Sequence, residues 1–530
     1  MLTLTFFIMP MTQFVYICVH KSNPMKRILL AAAVLSLCAC TSNKFTMVTT
    51  TEAEQWVEIA GYNPDAPGIA TDIVIDMDAK GQTMQGFGMC FSELSWRSLG
   101  KLSKEDYNAV MKELFAPGVG ASFTVCRMPI GSSDFALKYY SFDDYPGDFA
   151  MEHFSIANDE QTLIPLMKDA LSQNPDLKIW GSPWCPPQWM KVNQNYASRP
   201  MNNMMFAARR RNLPQTTTAE PSFLAGLNMG SESKRKRLEL DNLVVDNGCT
   251  MEMMMREGQD SFILEDEYLD AYALYFQKYI QAYRENGIDI FMVMPQNEFN
   301  SAQNFPSCTW TVAGLDRFMR KLVPAMKKEG VEVYYGTVER ANIGMVDTVL
   351  TDPAICDDIK GVAFQWAGKG ILGEVNRKYP EKAMVMSEQQ CFNGANSWAD
   401  FIAAWDLLKE NLDNGVEIYD YWNMSLFDGE VSTWGWQQNS LISVDYETGS
   451  YKYNYEYYEM KHASHFIKPG AVYLGTSGSH DQVLAFQNPD KSIVLLIAEK
   501  EGQAENVTIT ADKKTVTVNI PANSLSTVVI

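Results

Sequence analysis

The feature that most constrains the fold is a repeated alternation of short apolar runs and segments of helical period, between residues 83 and 450. Each apolar run ends at a polar or aromatic corner, and the segment after it repeats its apolar positions about every three to four residues, as amphipathic helices do. Strands that alternate with helices in this way predict a parallel (β/α)₈ barrel, a TIM barrel of the α/β class. The predicted strands are Thr83–Phe91, Ser122–Pro129, Leu177–Pro183, Asp289–Gln296, Val331–Thr337, Gly361–Trp366, Ala383–Glu388 and Val416–Asn423.

Helix signals occupy the connections between these runs. The clearest begins at Ser103, a predicted N-cap that Asp106 follows three residues later. One connection contains an insertion at about residues 193–262, which is too long for a structureless loop and predicts a structured insertion on the catalytic rim. The predicted helices are Ser103–Phe115, Asn158–Leu171, Glu265–Asn286, Val312–Lys328 and Asn396–Asn411.

A second domain is predicted from both ends of the chain. Residues 451–530 alternate apolar and polar positions between turn residues, as in Ser492–Ala498 and Thr515–Ile520, which predicts an antiparallel β-sandwich. The short segments Trp56–Ile59 and Asp72–Asp76, within residues 41–82, precede the barrel. We expect them to join the same sheet, so that the sandwich is fused to the barrel at residues 83–450.

Residues 1–40 predict an export signal. The charged Met25-Lys26-Arg27 precedes the apolar run Ile28–Leu37, and Leu37-Cys38-Ala39-Cys40 resembles a bacterial lipobox, whose last cysteine is lipidated. The alternative is a plain signal peptide cut near the same place, and residues 1–24 are interpreted as an extension from an upstream start codon. No later run approaches the about 18 to 20 apolar residues of a membrane span. We therefore expect an exported lipoprotein, periplasmic or at the cell surface, that Cys40 alone attaches to the membrane.

Charge and histidine content narrow the chemistry. The chain has 64 acidic and 44 basic residues, a formal net charge of -20, which disfavours nucleic acid as a partner. Its five histidines leave residues 154–461 without one, so neither a histidine base nor a His-rich zinc site is expected in most of the barrel. A neutral or cationic substrate and carboxylate chemistry fit better, and no cofactor or metal is implied.

Two glutamates follow apolar strands at the end of the barrel where active sites lie. Glu298 follows the fourth predicted strand and Glu388 ends the seventh. Incomplete solvation there allows a carboxyl pKa to be tuned, and two facing carboxylates are the catalytic groups of glycosidases. Glu93 and Glu339 are further acids at strand ends, so position alone leaves several pairs open.

Tryptophans cluster at the same strand ends. Their rings stack on the C–H faces of sugars, although single tryptophans are usually core residues. The cluster at one mouth predicts a sugar cleft. Its members are Trp184, Trp366, Trp422, Trp434 and Trp436.

A set of motifs in consistent order across residues 55–530 resembles glycoside hydrolase family 30, which includes acid β-glucosylceramidase and microbial β-1,6-glucanases. The resemblance implies a barrel with a fused β-sandwich built from both chain ends. The motifs are Gln85-Gly86-Phe87-Gly88, the run from Arg127 to Phe135, Ser182-Pro183-Trp184, Gln296-Asn297-Glu298, Ser387-Glu388, Trp422-Asn423 and Trp436-Gln437-Gln438-Asn439.

The resemblance also implies roles for particular residues. Glu298 would be the general acid/base and Glu388 the nucleophile of a retaining double displacement. Asn297 would bind the sugar 2-hydroxyl, and Arg127 would lie beneath the nucleophile and keep it ionised. The residues expected at the substrate are Arg127, Asp134, Trp184, Asn297, Trp366, Trp422 and Asn439.

One motif departs from the pattern. Where glucosylceramidases show His-Trp-Tyr, this chain has Gln365-Trp366-Ala367, so a tyrosine that would touch the nucleophile is missing. The leading prediction is therefore a β-1,6-glucanase that acts on glucan. A glucosylceramidase is the enzymatic alternative, for which the methionine-rich part of the insertion could supply an apolar patch. A non-catalytic, tethered glycan-binding protein is the alternative of another class, and loss of either glutamate would favour it.

Overall fold

The computed structural model describes residues 45–201 and 245–530. The predicted export signal with Cys40 and the central part of the predicted insertion, residues 202–244, lie outside the described residues. Within the described part, no helix is long and apolar enough to cross a membrane.

Three strands precede the barrel: β1 (Thr46–Thr51), β2 (Val57–Ile59) and β3 (Ile69–Thr83). Eight parallel strands then close a barrel in the order β10-β11-β4-β5-β6-β7-β8-β9, so the predicted (β/α)₈ barrel is confirmed. Apolar side chains from seven of these strands fill its interior. The barrel strands are β4 (Gly86–Cys90), β5 (Val125–Pro129), β6 (Lys178–Ser182), β7 (Ile290–Val293), β8 (Glu332–Val338), β9 (Ile359–Gln365), β10 (Ala383–Glu388) and β11 (Val416–Asn423).

Helices connect the strands. Ser103 caps the helix Lys104–Phe115 as predicted, since its hydroxyl accepts a hydrogen bond of 3.1 Å from the Asp106 N–H. The predicted Asn158–Leu171 helix is a short 3₁₀ turn, Asp159–Gln161, followed by an α-helix. The α-helices among the described residues are Glu93–Leu99, Lys104–Phe115, Leu163–Gln173, Asp266–Glu285, Val312–Glu329, Ile343–Leu350, Leu372–Lys378, Trp398–Asp413 and Tyr455–Ser464.

After the barrel, β12 (Ser425–Phe427), β13 (Ile442–Val444) and β14 (Tyr451–Tyr453) form a small sheet. Strands from both sides of the barrel share a larger nine-stranded sheet in the order β19-β18-β3-β15-β16-β17-β20-β1-β2, which confirms the prediction that both ends build one domain. Its pairs are antiparallel except for β3 with β18. The remaining strands are β15 (Val472–Gly478), β16 (Val483–Gln487), β17 (Ile493–Glu499), β18 (Glu505–Ala511), β19 (Lys514–Ile520) and β20 (Ser524–Val529).

The helix Tyr455–Ser464 joins this sheet to the rest of the chain. His462 of this helix is fully buried, and its two ring nitrogens lie 2.7 Å from the Thr527 hydroxyl of β20 and 2.9 Å from the Thr50 hydroxyl of β1. Burial lowers the pKa of His462 to about 3, so the ring is neutral at ordinary pH. A neutral histidine thus links the helix to β1, near the start of the described chain, and to β20, near its end.

Candidate active site

Glu388 ends β10, and its carboxylate accepts hydrogen bonds from side chains of neighbouring elements. Its Oε2 is 3.0 Å from Nη1 of Arg127, which reaches it from β5, and 3.3 Å from Nε2 of Gln365 at the end of β9. Arg127 Nη1 also donates to the Ser387 carbonyl at 3.1 Å. The carboxylate is therefore held in one orientation by side chains from two other strands, β5 and β9.

Arg127 is fully buried, and its guanidinium uses its donors on several partners. Nη2 donates to the Ser182 hydroxyl at 2.9 Å and to Oδ1 of Asn297 at 2.6 Å. The ring of Trp184 lies 4.3 Å from the guanidinium carbon, and the rings of Trp180 and Trp422 also flank it. These contacts fix the position of the Arg127 guanidinium. Through it, Glu388, the nucleophile candidate, is linked to Asn297.

Burial raises the pKa of the Glu388 carboxyl, and the Arg127 charge together with a hydrogen bond from Trp366 opposes that rise. Glu298 differs because, among the residues that the structure describes, no side chain donates to its carboxyl. Burial raises the pKa of Glu298 well above its usual range, and the charges of Glu388, Glu339 and Asp134 raise it further against Arg340. Of the two carboxyls, Glu298 is therefore the one whose surroundings more strongly favour the protonated form.

The backbone places Glu298 unusually. It follows β7 in a left-handed conformation, with φ of 46°, and its N–H donates to the Thr337 hydroxyl of β8 at 2.7 Å. This conformation is costly for a residue other than glycine, asparagine or aspartate, and it persists where the surroundings hold it. Glu298 is half-buried, so its side chain is partly open to solvent at the mouth.

Asp134, in the loop after β5, is buried close to these groups. Burial raises the pKa of Asp134, the Glu388 charge adds to the rise, and a hydrogen bond with Trp184 opposes it. Oδ1 of Asp134 has no hydrogen-bond partner among the described residues. A buried, unpaired acceptor beside the nucleophile candidate suits a substrate hydroxyl.

The predicted tryptophans divide into two groups. Trp184 and Trp422 are buried with ring centroids 5.1 Å apart, and Trp434 is buried against Tyr139 at 4.6 Å. Trp366 is half-buried, and Trp436 is 39% exposed. The stacking of sugar rings predicted for all of them therefore fits Trp366 and Trp436 better, while the buried ones contact Arg127 and Tyr139.

Asn439 is fully buried, and its side chain is already occupied by protein. Its Oδ1 accepts hydrogen bonds from the backbone N–H groups of Gly394 (2.7 Å) and Asn396 (3.2 Å), and its Nδ2 donates to Asp400 and Glu456. These contacts hold the loop after β10. Direct contact of Asn439 with a sugar stays a prediction that these bonds do not support.

The comparisons with known proteins agree with this geometry. The family model of the glycosyl hydrolase family 30 TIM-barrel domain matches residues 84–203 and 249–467, and that of the family 30 beta sandwich domain matches residues 470–528. The chain belongs to glycosyl hydrolase family 30. As a family 30 member it is a glycoside hydrolase, and the part of its nine-stranded sheet that begins at β15 lies in the region that matches the sandwich domain of that family.

Relatives of this family 30 chain carry two kinds of name. An endo-1,6-beta-D-glucanase of Trichoderma harzianum is 25% identical over 496 residues, 87% of each chain. A putative glucosylceramidase of Caenorhabditis elegans is 24% identical over 466 residues, 81% of this chain and 76% of that one. A solved structure, the endo-beta1,6-glucanase BT3312, matches with a TM-score of 0.70 and 22% identity, and the match covers 92% of this chain and 99% of that one. At that identity the structure shows the shared fold alone.

Two residues of this family 30 site have no role assigned from the sequence. Gln365 donates to Asn297 at 3.0 Å as well as to Glu388, although the sequence marks it only as a departure from His-Trp-Tyr. Glu339 is one of several strand-end acids in the sequence, and the structure places it against the loop that carries Glu298. Position at a strand end was a usable signal for both. Within residues 45–201 and 245–530, no group of three metal-ligating side chains is present.

Proposed function

We propose that this glycosidase cleaves β-1,6-glucan by a retaining double displacement, with Glu388 as nucleophile and Glu298 as general acid/base. The observation that carries the proposal is the asymmetry of the two carboxyls. Glu388 is held by the Arg127 cation and two further donors, whereas Glu298 is surrounded by acidic side chains. One group is suited to be an anion, and the other to hold a proton.

In the first step, Glu388 attacks the anomeric carbon while Glu298 gives its proton to the glycosidic oxygen, which leaves as an alcohol. In the second, Glu298 takes a proton from water, whose oxygen attacks the same carbon and releases Glu388. Oδ1 of Asn297 accepts from Arg127 and Gln365, so its amide Nδ2 is the atom left to donate to the sugar 2-hydroxyl. That bond strengthens as the anomeric carbon becomes cationic.

Three observations support a neutral glucan with β-1,6 linkages. A relative named endo-1,6-beta-D-glucanase covers the chain over 87% of its length, and the net charge of -20 disfavours polyanionic substrates. Ala367 also stands where glucosylceramidases show a tyrosine. The names of the nematode relatives make glucosylceramide the competing substrate.

The test is a product analysis with a linear β-1,6-glucan, following chain length and anomeric configuration by NMR. We expect oligosaccharides whose new reducing ends are first β-configured and then mutarotate. Initial α-configured products would contradict the retaining mechanism. Cleavage of glucosylceramide in mixed micelles but not of glucan would transfer the proposal to the lipid, and binding of glucan with no hydrolysis of either would favour the glycan-binding alternative.

We further propose that the protein is an exported lipoprotein anchored through Cys40, and hence periplasmic or at the cell surface. The support is the sequence Leu37-Cys38-Ala39-Cys40 after an apolar run. A single acyl chain binds membranes only weakly, so firm anchoring requires the several chains that a mature lipoprotein cysteine carries.

Substituting Cys40→Ala is expected to abolish incorporation of a labelled fatty acid during bacterial expression and to move the protein out of the membrane fraction. Cys38→Ala is the matched control, because it removes a cysteine two residues away and should leave the labelling unchanged. Equal labelling of the Cys40→Ala variant and the wild type would disprove the anchor.

A further inference from the structure

The loop that carries Glu298 is fastened to the end of the neighbouring strand β8. The Glu298 N–H donates to the Thr337 hydroxyl at 2.7 Å, and the Thr337 N–H donates back to the Gln296 carbonyl at 2.7 Å. Two residues further on, the Asn300 N–H donates to Oε1 of Glu339 at 3.1 Å. The backbone on both sides of Glu298 is thus tied to β8 and the residue after it.

Burying the carboxyl of Glu339 to hold this loop costs free energy. It is 1% exposed, and its second oxygen, Oε2, has no hydrogen-bond partner among the described residues. Burial raises the pKa of Glu339 to about 7, while the Arg340 charge and the Asn300 N–H oppose the rise and the Glu257 charge adds to it. A glutamine could accept the same hydrogen bond without a buried charge. The presence of an acid indicates a use for its charge.

We infer that Glu339 is a positioning residue of the acid/base catalyst, which holds the Glu298 loop through Asn300 and, as an anion, favours the protonated form of Glu298. The inference rests on the proposed role of Glu298 as proton donor. Four charged groups act on Glu298 from the elements around it: Glu388 on β10, Glu339 and Arg340 after β8, and Asp134 after β5. Glu339 is the member of this set that is also bonded to the loop itself.

Glu339 and Glu298 carry the same charge when both are ionised, and this decides the direction in which Glu339 shifts the pKa of Glu298. An ionised Glu339 disfavours ionisation of Glu298, so it extends the range in which Glu298 carries a proton to higher pH. Glutamine at position 339 would retain the acceptor for Asn300 but lose the charge. We therefore expect Glu339→Gln to move the alkaline limb of kcat/KM to lower pH by about one unit, with little loss at the optimum.

Alanine at position 339 would remove both the charge and the acceptor. We expect Glu339→Ala to lower kcat/KM about 10- to 100-fold on substrates with poor leaving groups, which need the proton, and much less on a 2,4-dinitrophenyl glycoside, which does not. Glu339→Gln should restore most of this loss. The series consists of aryl β-gentiobiosides whose leaving phenols differ in acidity.

Glu417→Gln is the matched control. Glu417, which is half-buried, is another barrel acid with a raised pKa, but it lies near the amino end of β11, where it accepts a hydrogen bond of 2.8 Å from Gln85. Its substitution should leave the pH profile unchanged. Glu298→Gln in the same series tests the underlying role, since it should also lose activity selectively on poor leaving groups.

The outcomes separate the two ideas. If Glu298→Gln shows the selective loss but the alkaline limb of Glu339→Gln coincides with that of the wild type, the inference is wrong and the proposed function stands. If Glu339→Ala loses activity equally on all leaving groups, Glu339 supports the structure only and the inference is again wrong. If Glu298→Gln itself shows no selectivity, the assignment of Glu298 fails, and the inference fails with it.

Discussion

Substituting Glu388→Ala is expected to lower kcat on glucan by about 10⁴- to 10⁶-fold, because the carbon that Glu388 would attack then has no protein nucleophile. Glu298→Ala should cost less, about 10²- to 10⁴-fold, since it removes proton transfer but leaves the nucleophile and its Arg127 partner in place. The measurement is kcat of each variant on glucan. An unfolding temperature equal to that of the wild type checks that both variants fold.

Azide distinguishes the two roles more sharply than the rates do. In the Glu298→Ala variant, azide can attack the glycosyl-enzyme without a general base, which yields the β-glycosyl azide. In the Glu388→Ala variant, azide occupies the space of the missing carboxylate and attacks the substrate directly, which yields the α-glycosyl azide. The same anomer from both variants, or rescue of neither, would contradict the assignment. An exchange of the two anomers would reverse the roles of Glu298 and Glu388.

The barrel strands could be predicted because they are buried on both faces, and such strands read as short continuous apolar runs with clear boundaries. β10, for example, was predicted and found as Ala383–Glu388. Strand β1 (Thr46–Thr51) was not predicted, because its buried positions include Thr49 and Thr50, which are polar. Their hydroxyls bond to Ser526 and His462, partners more than 400 residues away that no local pattern reveals.

The helix Tyr455–Ser464 could not be predicted from local sequence either. It lies in a segment where the sequence shows little helical period, because most of its length is buried: Glu456, Glu459 and His462 are inside along with its apolar residues. A helix that is covered on most sides has no polar stripe from which a period could be read. One of its polar residues, His462, bonds to Thr50 of β1 and Thr527 of β20, which lie far from it in the sequence.

For the site, strand ends identified Glu298 and Glu388, whereas the direction and exposure of side chains could not be predicted. Trp434 and Trp436 are two residues apart, yet the first is buried and the second is exposed. Asn439 follows them and faces Asp400 and Glu456 rather than open space. These differences arise from the path of a loop, which tertiary contacts decide, and not from spacing along the chain.

The second large effect is expected at Arg127, whose removal would leave Glu388 as a buried, uncompensated carboxyl. Substituting Arg127→Met should lower the free energy of unfolding by about 3 to 5 kcal/mol, measured by urea denaturation. It should also raise the pKa of Glu388, because the charge that opposes its burial is gone. The acid limb of kcat/KM therefore moves to higher pH, since Glu388 must be ionised to attack.

A double-substitution cycle separates the loss of the pair from the loss of packing. Arg127 has contacts besides Glu388, to Ser182, Asn297 and the ring of Trp184, so some destabilisation would occur for any replacement. If the unpaired charge dominates, adding Glu388→Gln to Arg127→Met should restore part of the lost free energy, although catalysis stays absent. Strictly additive losses would show that Arg127 acts through packing and its other hydrogen bonds. Arg127→Lys should recover less than its charge suggests, because an ammonium group cannot reach Glu388, Ser182 and Asn297 with the fork that a guanidinium provides.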